Sequence, residues 1–562
     1  MKWVARTVLT VLMVFGLSTE AFAGGLEFPA PGTNALGRGG ANYARPGDAM
    51  ALMYNPANLA AESGLQLSFQ THLVLYDACV DRAGTYTSYE REQPADVFRG
   101  GADRTTETVN AIQQENASAF NDGVSYPNGE LPRVCNSAGP GIVPQFVLTW
   151  RAHRMIGIGV GFLAPAGVAN TQWGSTQRVG DRRYVGITDG LPSPTRYGLI
   201  RQSLIAGFPT IGLGFAPHPR VRFGLAFGSG FARAEFINMT RAVRGEDFAN
   251  DIHTKLEATD RFLPRITASA HVVPHDNLDI SATFVWTDDA NLEGDLTLQS
   301  GYYRDAVLEE LEISNVRLNI PQAWQLAFGI RYADRTAPRH ENPQAVSQLS
   351  DRVEDSMSNE RFDIEFDVVY ERNSRVNRYD TTLPSNPDRD DGVWFIQADT
   401  GIPAAIPVTL PVEKQWKDSL SFRLGADWNA VPGFLAARLG LSYETKGVEG
   451  GYEQFDFMPF QRTGLHLGLT LRFGRFDLSV AYAHIWQTSV TVREGRGEQI
   501  NADFRTTQIN CENDAVCSAQ DPEEQRRQAA EDSNFGAGTI VNAGRFTSNF
   551  DVLSLGLTYH FR

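Results

Sequence analysis

From about residue 64 to its end, this 562-residue chain alternates apolar and polar residues with a period of two. Between Phe476 and Trp486 one face carries Phe476, Leu478, Val480, Tyr482, His484 and Trp486, and the other carries Asp477, Ser479, Ala481, Ala483 and Ile485. Leu465, Leu467, Leu469, Leu471 and Phe473 stand opposite Gly464, His466, Gly468, Thr470 and Arg472. Leu326, Phe328, Ile330 and Tyr332 stand opposite Gln325, Ala327, Gly329 and Arg331, and Leu553, Leu555, Leu557, Tyr559 and Phe561 opposite Ser554, Gly556, Thr558 and His560. A period of two sends successive side chains to opposite faces, so these runs predict half-buried strands and not helices. Beyond residue 23 no stretch approaches the roughly 18 consecutive apolar residues of a spanning helix.

A soluble sandwich would also alternate, and three further features point the apolar face toward lipid. Aromatic residues gather at strand ends (Tyr332, Trp428, Tyr443, Phe473, Trp486, Phe561), as interfacial girdles do. The opposite face is small and polar, which suits a wet or plugged lumen. Connections alternate between tight turns, such as Gly474-Arg475 and Pro274-His275-Asp276, and long polar stretches at 77–140, 165–195, 241–260, 287–320, 374–411, 447–459 and 493–545. Short turns on one side and long loops on the other describe a transmembrane β-barrel. Counting strand pairs between the long loops, with an enlarged turn at 334–358, predicts 14 strands centred near 70, 147, 159, 206, 225, 267, 281, 328, 366, 422, 439, 468, 482 and 555. Further alternating residues at 292–320 leave that count open by two.

Lys2 and Arg6, the apolar run Val8 to Leu17, and Ala21-Phe22-Ala23 read as a secretory signal over 1–23, with the mature chain starting at Gly24. The balance of 50 Lys+Arg against 66 Asp+Glu, a net charge of -16, argues against a nucleic-acid partner. Cys79, Cys135, Cys511 and Cys517 offer neither a Cys-x-x-Cys pair nor a Cys/His cluster, so no metal site is expected. No Gly-x-Ser-x-Gly elbow or His-Glu-x-x-His helix is present either, and neither an enzyme nor a cofactor is expected.

Residues 24–63 break the pattern. Gly24-Gly25-Leu26, Ala35-Leu36-Gly37-Arg38-Gly39-Gly40-Ala41, Asp48-Ala49 and Asn55-Pro56-Ala57 lead straight into the first strand. Downstream, Pro165-Ala166-Gly167 follows the third strand, Trp416-Lys417-Asp418-Ser419 precedes Arg423-Leu424-Gly425-Ala426, and Leu439 to Glu444 closes the next strand. In this order the motifs resemble the FadL/TodX family of outer-membrane transporters for long-chain fatty acids and hydrophobic compounds. The closing Ser554-x-Gly556-x-x-Tyr559-x-Phe561 resembles the signal read by the bacterial outer-membrane assembly machinery, with Arg562 as an extra final residue.

The resemblance implies an all-β fold: a 14-stranded barrel over 64–562 plugged by an N-terminal hatch at 24–63. It further implies uptake of an apolar ligand with hatch movement and lateral release, in the outer membrane and as a monomer. Asn55, Pro56 and Ala57 are then the hatch motif, and Gly157, Gly159 and Gly161 mark a candidate lateral-exit strand. Arg331, Arg423, Arg438 and Arg472 face inward by alternation and would meet either a ligand carboxylate or lumen and hatch acids such as Asp427 and Glu444. A general diffusion porin and an outer-membrane lipase are the alternative functions.

The cysteine placement predicts two loop-stapling disulfides, Cys79–Cys135 across a long polar insertion and Cys511–Cys517 across a short one. Non-reducing peptide mapping is expected to recover both linked peptides and no free thiol.

Overall fold

The computed structural model describes residues 30–62, 64–83, 131–164, 168–174, 178–179, 182–183, 193–240, 252–300, 309–336, 355–384, 393–396, 403–406, 408–493 and 542–561. The signal region, Cys511 and Cys517, Pro165-Ala166-Gly167, and most of 77–140, 334–358 and 493–545 lie outside the described residues.

Fourteen antiparallel strands close a barrel. They are β1 (Leu65–Arg82), β2 (Gly141–His153), β3 (Ile156–Leu163, continued by Val168–Gln172), β4 (Arg201–His218), β5 (Val221–Thr240), β6 (Ile252–His275) and β7 (Leu278–Thr287). The second half comprises β8 (Gln325–Arg335), β9 (Glu360–Glu371), β10 (Ser419–Val431), β11 (Leu435–Glu444), β12 (Arg462–Phe473), β13 (Phe476–Gln487) and β14 (Gly544–His560). Each expected centre falls within its strand. β14 closes the wall on β1, from Gln66 opposite His560 to Arg82 opposite Gly544. Closure leaves no edge with unpaired backbone, which hydrocarbon demands.

One end of the barrel carries tight turns. Phe473 pairs with Phe476 across Gly474-Arg475, and Gly474 takes a φ of 61°, as a two-residue hairpin turn asks. Three turns share a side-chain device. The Nδ1 atoms of His153, His218 and His275 accept the backbone N–H of Met155, Arg220 and Asn277, at 3.3, 3.1 and 3.3 Å. The other end, the loop end, carries long connections and built-up strands. Cys79 and Cys135 are joined there by a disulfide.

The loop end holds more sheet than expected. The stretch 287–320 folds as a hairpin, Ala290–Ser300 with Glu309–Ile320, and Arg378–Thr382 with Thr409–Glu413 extends that sheet. The hairpin pairs with the upper part of β6, which begins at Ile252, inside the stretch 241–260 expected as loop. The reason is a second run of period-two alternation. Leu292, Leu296, Leu298, Ile313, Val316 and Leu318 are all buried on one face of this extension.

Exposure separates the two wall faces. Leu465, Leu467 and Leu469 are exposed, while His466 and Thr470 on the same strand are buried. Trp150, Tyr332, Trp428, Phe473 and Phe561 are exposed near the turn end and Trp486 near the loop end, so aromatic girdles bound an apolar belt. The chain is therefore a transmembrane barrel. Leu467→Arg is expected to destabilise it by roughly 2–4 kcal/mol if the site lies near midplane, and Leu467→Ile to leave it nearly unchanged, by denaturant unfolding in lipid. The lumen at Thr470 offers no room for arginine, because its Oγ1 already accepts from Arg438 Nη1 at 2.5 Å and contacts Ser479 Oγ at 2.7 Å.

Candidate functional site

Residues 30–62 lie inside the turn-end half of the barrel and are almost wholly buried. Short helical turns at Thr33–Gly37, Ala51–Tyr54 and Pro56–Ala61 let this segment pair part of its own backbone, and wall side chains take much of the rest. Gln70 Oε1 accepts the Thr33 N–H at 2.5 Å, and His72 Nε2 accepts the Gly32 N–H at 2.9 Å. Asp367 accepts from the backbone of Asn42 and Tyr43, and Glu365 from that of Ala44.

Close approach of the segment to the wall is what the wall glycines provide. A Cβ on Gly440 would fall 2.1 Å from Gly39 N, and one on Gly224 would fall 2.0 Å from Ala57 N. Of the three glycines on the third strand, Gly157 lies under the backbone of Leu59 and Gly159 under the side chains of Leu52 and Leu59. Gly161 instead faces the β2 backbone at Phe146.

The Asn-Pro-Ala turn is gripped mainly from β6. Ser269 Oγ accepts the Ala57 N–H at 2.9 Å, and Asn55 Nδ2 donates to Tyr43 O at 2.7 Å and lies 3.5 Å from His271 Nδ1. Pro56 opens the following turn with a φ fixed by its ring, at a position where its missing N–H is no loss.

On the other side of the lumen stands a lattice of buried charges. Arg38 donates to Asp363 at 2.7 Å, to Glu365 at 2.9 Å and to Asp427. Arg45 meets Asp427 at 2.9 Å, and Arg438 meets it at 3.1 Å. Arg331 joins Asp279 at 3.1 Å, Asp363 at 2.6 Å and Glu360, and Asp279 reaches His271 Nε2 at 2.9 Å. Arg472 pairs with Asp477 at 2.6 Å and Asp355 at 2.9 Å, and Glu444 is taken by Arg462 at 2.5 Å. Three of the four expected inward arginines are thus engaged by carboxylates of the barrel. Arg423 differs: its Nε donates to Ser421 Oγ at 3.1 Å and its Nη1 to Gly40 O at 3.5 Å.

Polarity changes around and along the lumen. Inward residues from Gln66 to Ala78 on β1, from Val143 to Thr149 on β2, and from Gly157 to Leu163 on β3 include no Asp, Glu, Lys or Arg. At the loop end an apolar cluster fills the interior. Trp173 donates from Nε1 to Phe455 O at 3.1 Å, Phe455 stacks on Phe546 at 5.6 Å, and Phe460 meets Phe546 edge-on at 5.9 Å. Lys414 is buried beside it against Asp456 and 4.5 Å above the Tyr379 ring, and burial pushes its ammonium down from the usual lysine range.

Where the two regions meet, the wall changes. The β2–β3 ladder ends at Phe146 opposite Phe162. Beyond it Val168–Gln172 pairs with β4, and among the described residues no ladder joins it to β2. A cavity of about 10 Å³, one water in size, lies just inside, lined by Leu52 and Met53 of the segment together with Leu163, Ala226, Arg265 and Thr267.

No protein-family model matches the sequence, and no curated protein matches it. Solved structures do match the fold. A Pseudomonas aeruginosa FadL homologue aligns with a TM-score of 0.60 at 12% identity, over 96% of this chain and 100% of that one. The P. putida toluene transporter TodX aligns with a TM-score of 0.56 at 11% identity, over 95% and 99%. The Ralstonia pickettii toluene transporter TbuX gives 0.51 at 12%, also over 95% and 99%. The fold is theirs.

Sequence reading placed the four arginines and the Asn-Pro-Ala turn, and it assigned no role to Arg38, Ser269 or His271. Arg38 sits between glycines in a motif where only its long-range partners reveal its part. Glu62, just before β1, is buried beside Gln66 Nε2 at 3.1 Å, and burial pushes its carboxyl up to about 8. An acid whose folded pKa is raised holds its proton longer when folded, so the native state loses stability as pH rises from the unfolded value, near 4.3, through about 8. Glu62→Gln is expected to flatten that loss, seen as a smaller difference between unfolding midpoints at pH 5 and pH 8.

Proposed function

We propose that this protein takes up long-chain fatty acids or other hydrophobic compounds across the outer membrane, with residues 24–63 as a movable hatch and release sideways through the wall. The observation that carries this reading is the polarity of the lumen. An apolar solute gathered by the Trp173, Phe455 and Phe546 cluster meets, further in, the segment and the Arg38, Asp363 and Asp427 lattice. Passing straight through would place hydrocarbon against buried ions and disrupt their pairing, which is costly. The end of the β2–β3 ladder, on the uncharged side of the lumen, supports a lateral path into lipid. The FadL and toluene-transporter structures that share the fold support the same class of cargo.

Hatch movement draws support from the unequal attachment of residues 30–62. Arg38 is clamped by three carboxylates, whereas Leu52, Pro56, Ala57 and Leu59 rest on glycines and are held by few side-chain bonds. Neutral hydrogen bonds contribute only about 0.5–1.5 kcal/mol each, so a ligand can shift this half without opening the barrel. A segment filling the lumen argues against a general diffusion porin. Replacing Asn55 and Pro56 together by Ala is expected to leave heat-modifiable barrel migration and surface abundance intact while lowering accumulation of a labelled long-chain fatty acid. Unchanged accumulation at equal abundance would make the turn structural only.

A further inference from the structure

We infer that Gln145 is a polar-head station at the inner edge of the lateral opening, and that it takes the head group of an amphiphile in uncharged form. This rests on the uptake reading above and deepens it.

Gln145 points into the lumen from β2 and is fully buried, yet neither Oε1 nor Nε2 has a hydrogen-bond partner. Buried polar groups are ordinarily paired, so an amide with both ends free calls for a partner that comes and goes; Gln202 on β4 shares that state, and what sets Gln145 apart is its place. Its place is specific. Phe146, the next residue, makes the last rung of the β2–β3 ladder, so Gln145 is the first inward side chain past the end of that ladder.

The neighbours define what such a partner can be. Gln70 stands opposite on β1, but its amide is occupied, Oε1 by the Thr33 N–H and Nε2 by Ser68 Oγ at 3.0 Å. Val143 and Val147 flank Gln145 along its own face, and continuing the register would bring it beside Leu163. The carboxylates and arginines of the charged lattice, on β7 to β11, are tied to one another across the lumen, and Arg265 of β6 donates to Thr287 Oγ1 at 3.1 Å.

A free amide offers a donor and an acceptor side by side. That pair matches an un-ionised carboxylic acid, which presents the same two functions in reverse, or a hydroxyl, which offers both from one atom. A carboxylate presents acceptors alone. It would face the amide oxygen with no cation among the inward residues from Gln66 to Ala78 on β1, Val143 to Thr149 on β2 and Gly157 to Leu163 on β3 to offset its burial. The station therefore suits a head group that has already taken up a proton, and hydrocarbon, the next environment, also favours the neutral acid.

The test compares initial uptake of labelled hexadecanoic acid, 1-hexadecanol and hexadecane by cells carrying wild-type protein or Gln145→Leu at matched surface abundance. Gln145→Leu should reduce uptake of the acid and the alcohol several-fold and leave that of the alkane unchanged. Gln145→Met gives the same comparison if the leucine variant fails to assemble. An equal fall for all three compounds would make Gln145 a packing residue and overturn the inference. Unchanged uptake of all three, with a barrel more resistant to unfolding, would make it a seat for buried water and overturn it as well. Wild-type protein that takes up none of the three would overturn the uptake reading itself, and this inference with it.

Discussion

Hydrocarbon offers no partner to a backbone N–H or C=O, and the rest of this structure follows from that. Strands satisfy the requirement only when the sheet closes, and closing 14 of them leaves a lumen too wide for wall side chains to fill alone. Residues 30–62 fill the turn-end half of it. They bring backbone groups of their own into a buried space, and the wall answers with side chains such as Gln70, His72, Ser269, Glu365 and Asp367. Glycine at Gly224 and Gly440 is the other half of that answer, because any Cβ there would occupy space held by the segment's main chain.

The charged lattice around Arg38 is best understood as a positioning device. Removing two ions from water costs several kcal/mol each, so a buried pair adds little net stability. Leaving one member alone costs far more, about 3–5 kcal/mol, and this makes displaced arrangements of the segment unfavourable. Asp363 lies between Arg38 and Arg331, and Asp427 gathers Arg38, Arg45 and Arg438, so each carboxylate serves several cations. Such sharing ties residues 38–45 to β8 to β11, while the Asn-Pro-Ala half rests on neutral contacts.

The wall was legible in the sequence because its signal is local. Leu465 to Phe473 declare a strand within nine residues, and the two-residue turn at Gly474 declares its end. The loop-end hairpin carried the same signal at Leu292 to Ile320, but polar residues around it obscured where strand gave way to loop, and a register shift between Gly294 and Asp295 interrupts its period. The interior was less legible for a physical reason. Arg38 meets Asp363, Glu365 and Asp427 across separations of 325, 327 and 389 residues, and no periodicity carries that information. Alternation could say that Arg331, Arg423, Arg438 and Arg472 point inward, and it could not say which of them already has a carboxylate. Gln145 was one more inward polar residue until the end of the β2–β3 ladder gave it a location.

On the uptake reading proposed above, the length of β6 bears on how an apolar molecule would find the protein. At 24 residues it runs roughly 80 Å along the chain, more than twice the 9–11 residues, or about 35 Å, that a bilayer asks of a strand. The excess stands with the Ala290–Ile320 hairpin on the loop side, its greasy face turned inward and its charges, among them Lys255, Glu257, Glu293 and Arg317, turned out. A sparingly soluble compound crossing a hydrated surface coat is limited by how little of it dissolves there. For a protein that takes up such compounds, a chimney that begins above the bilayer would shorten that aqueous leg.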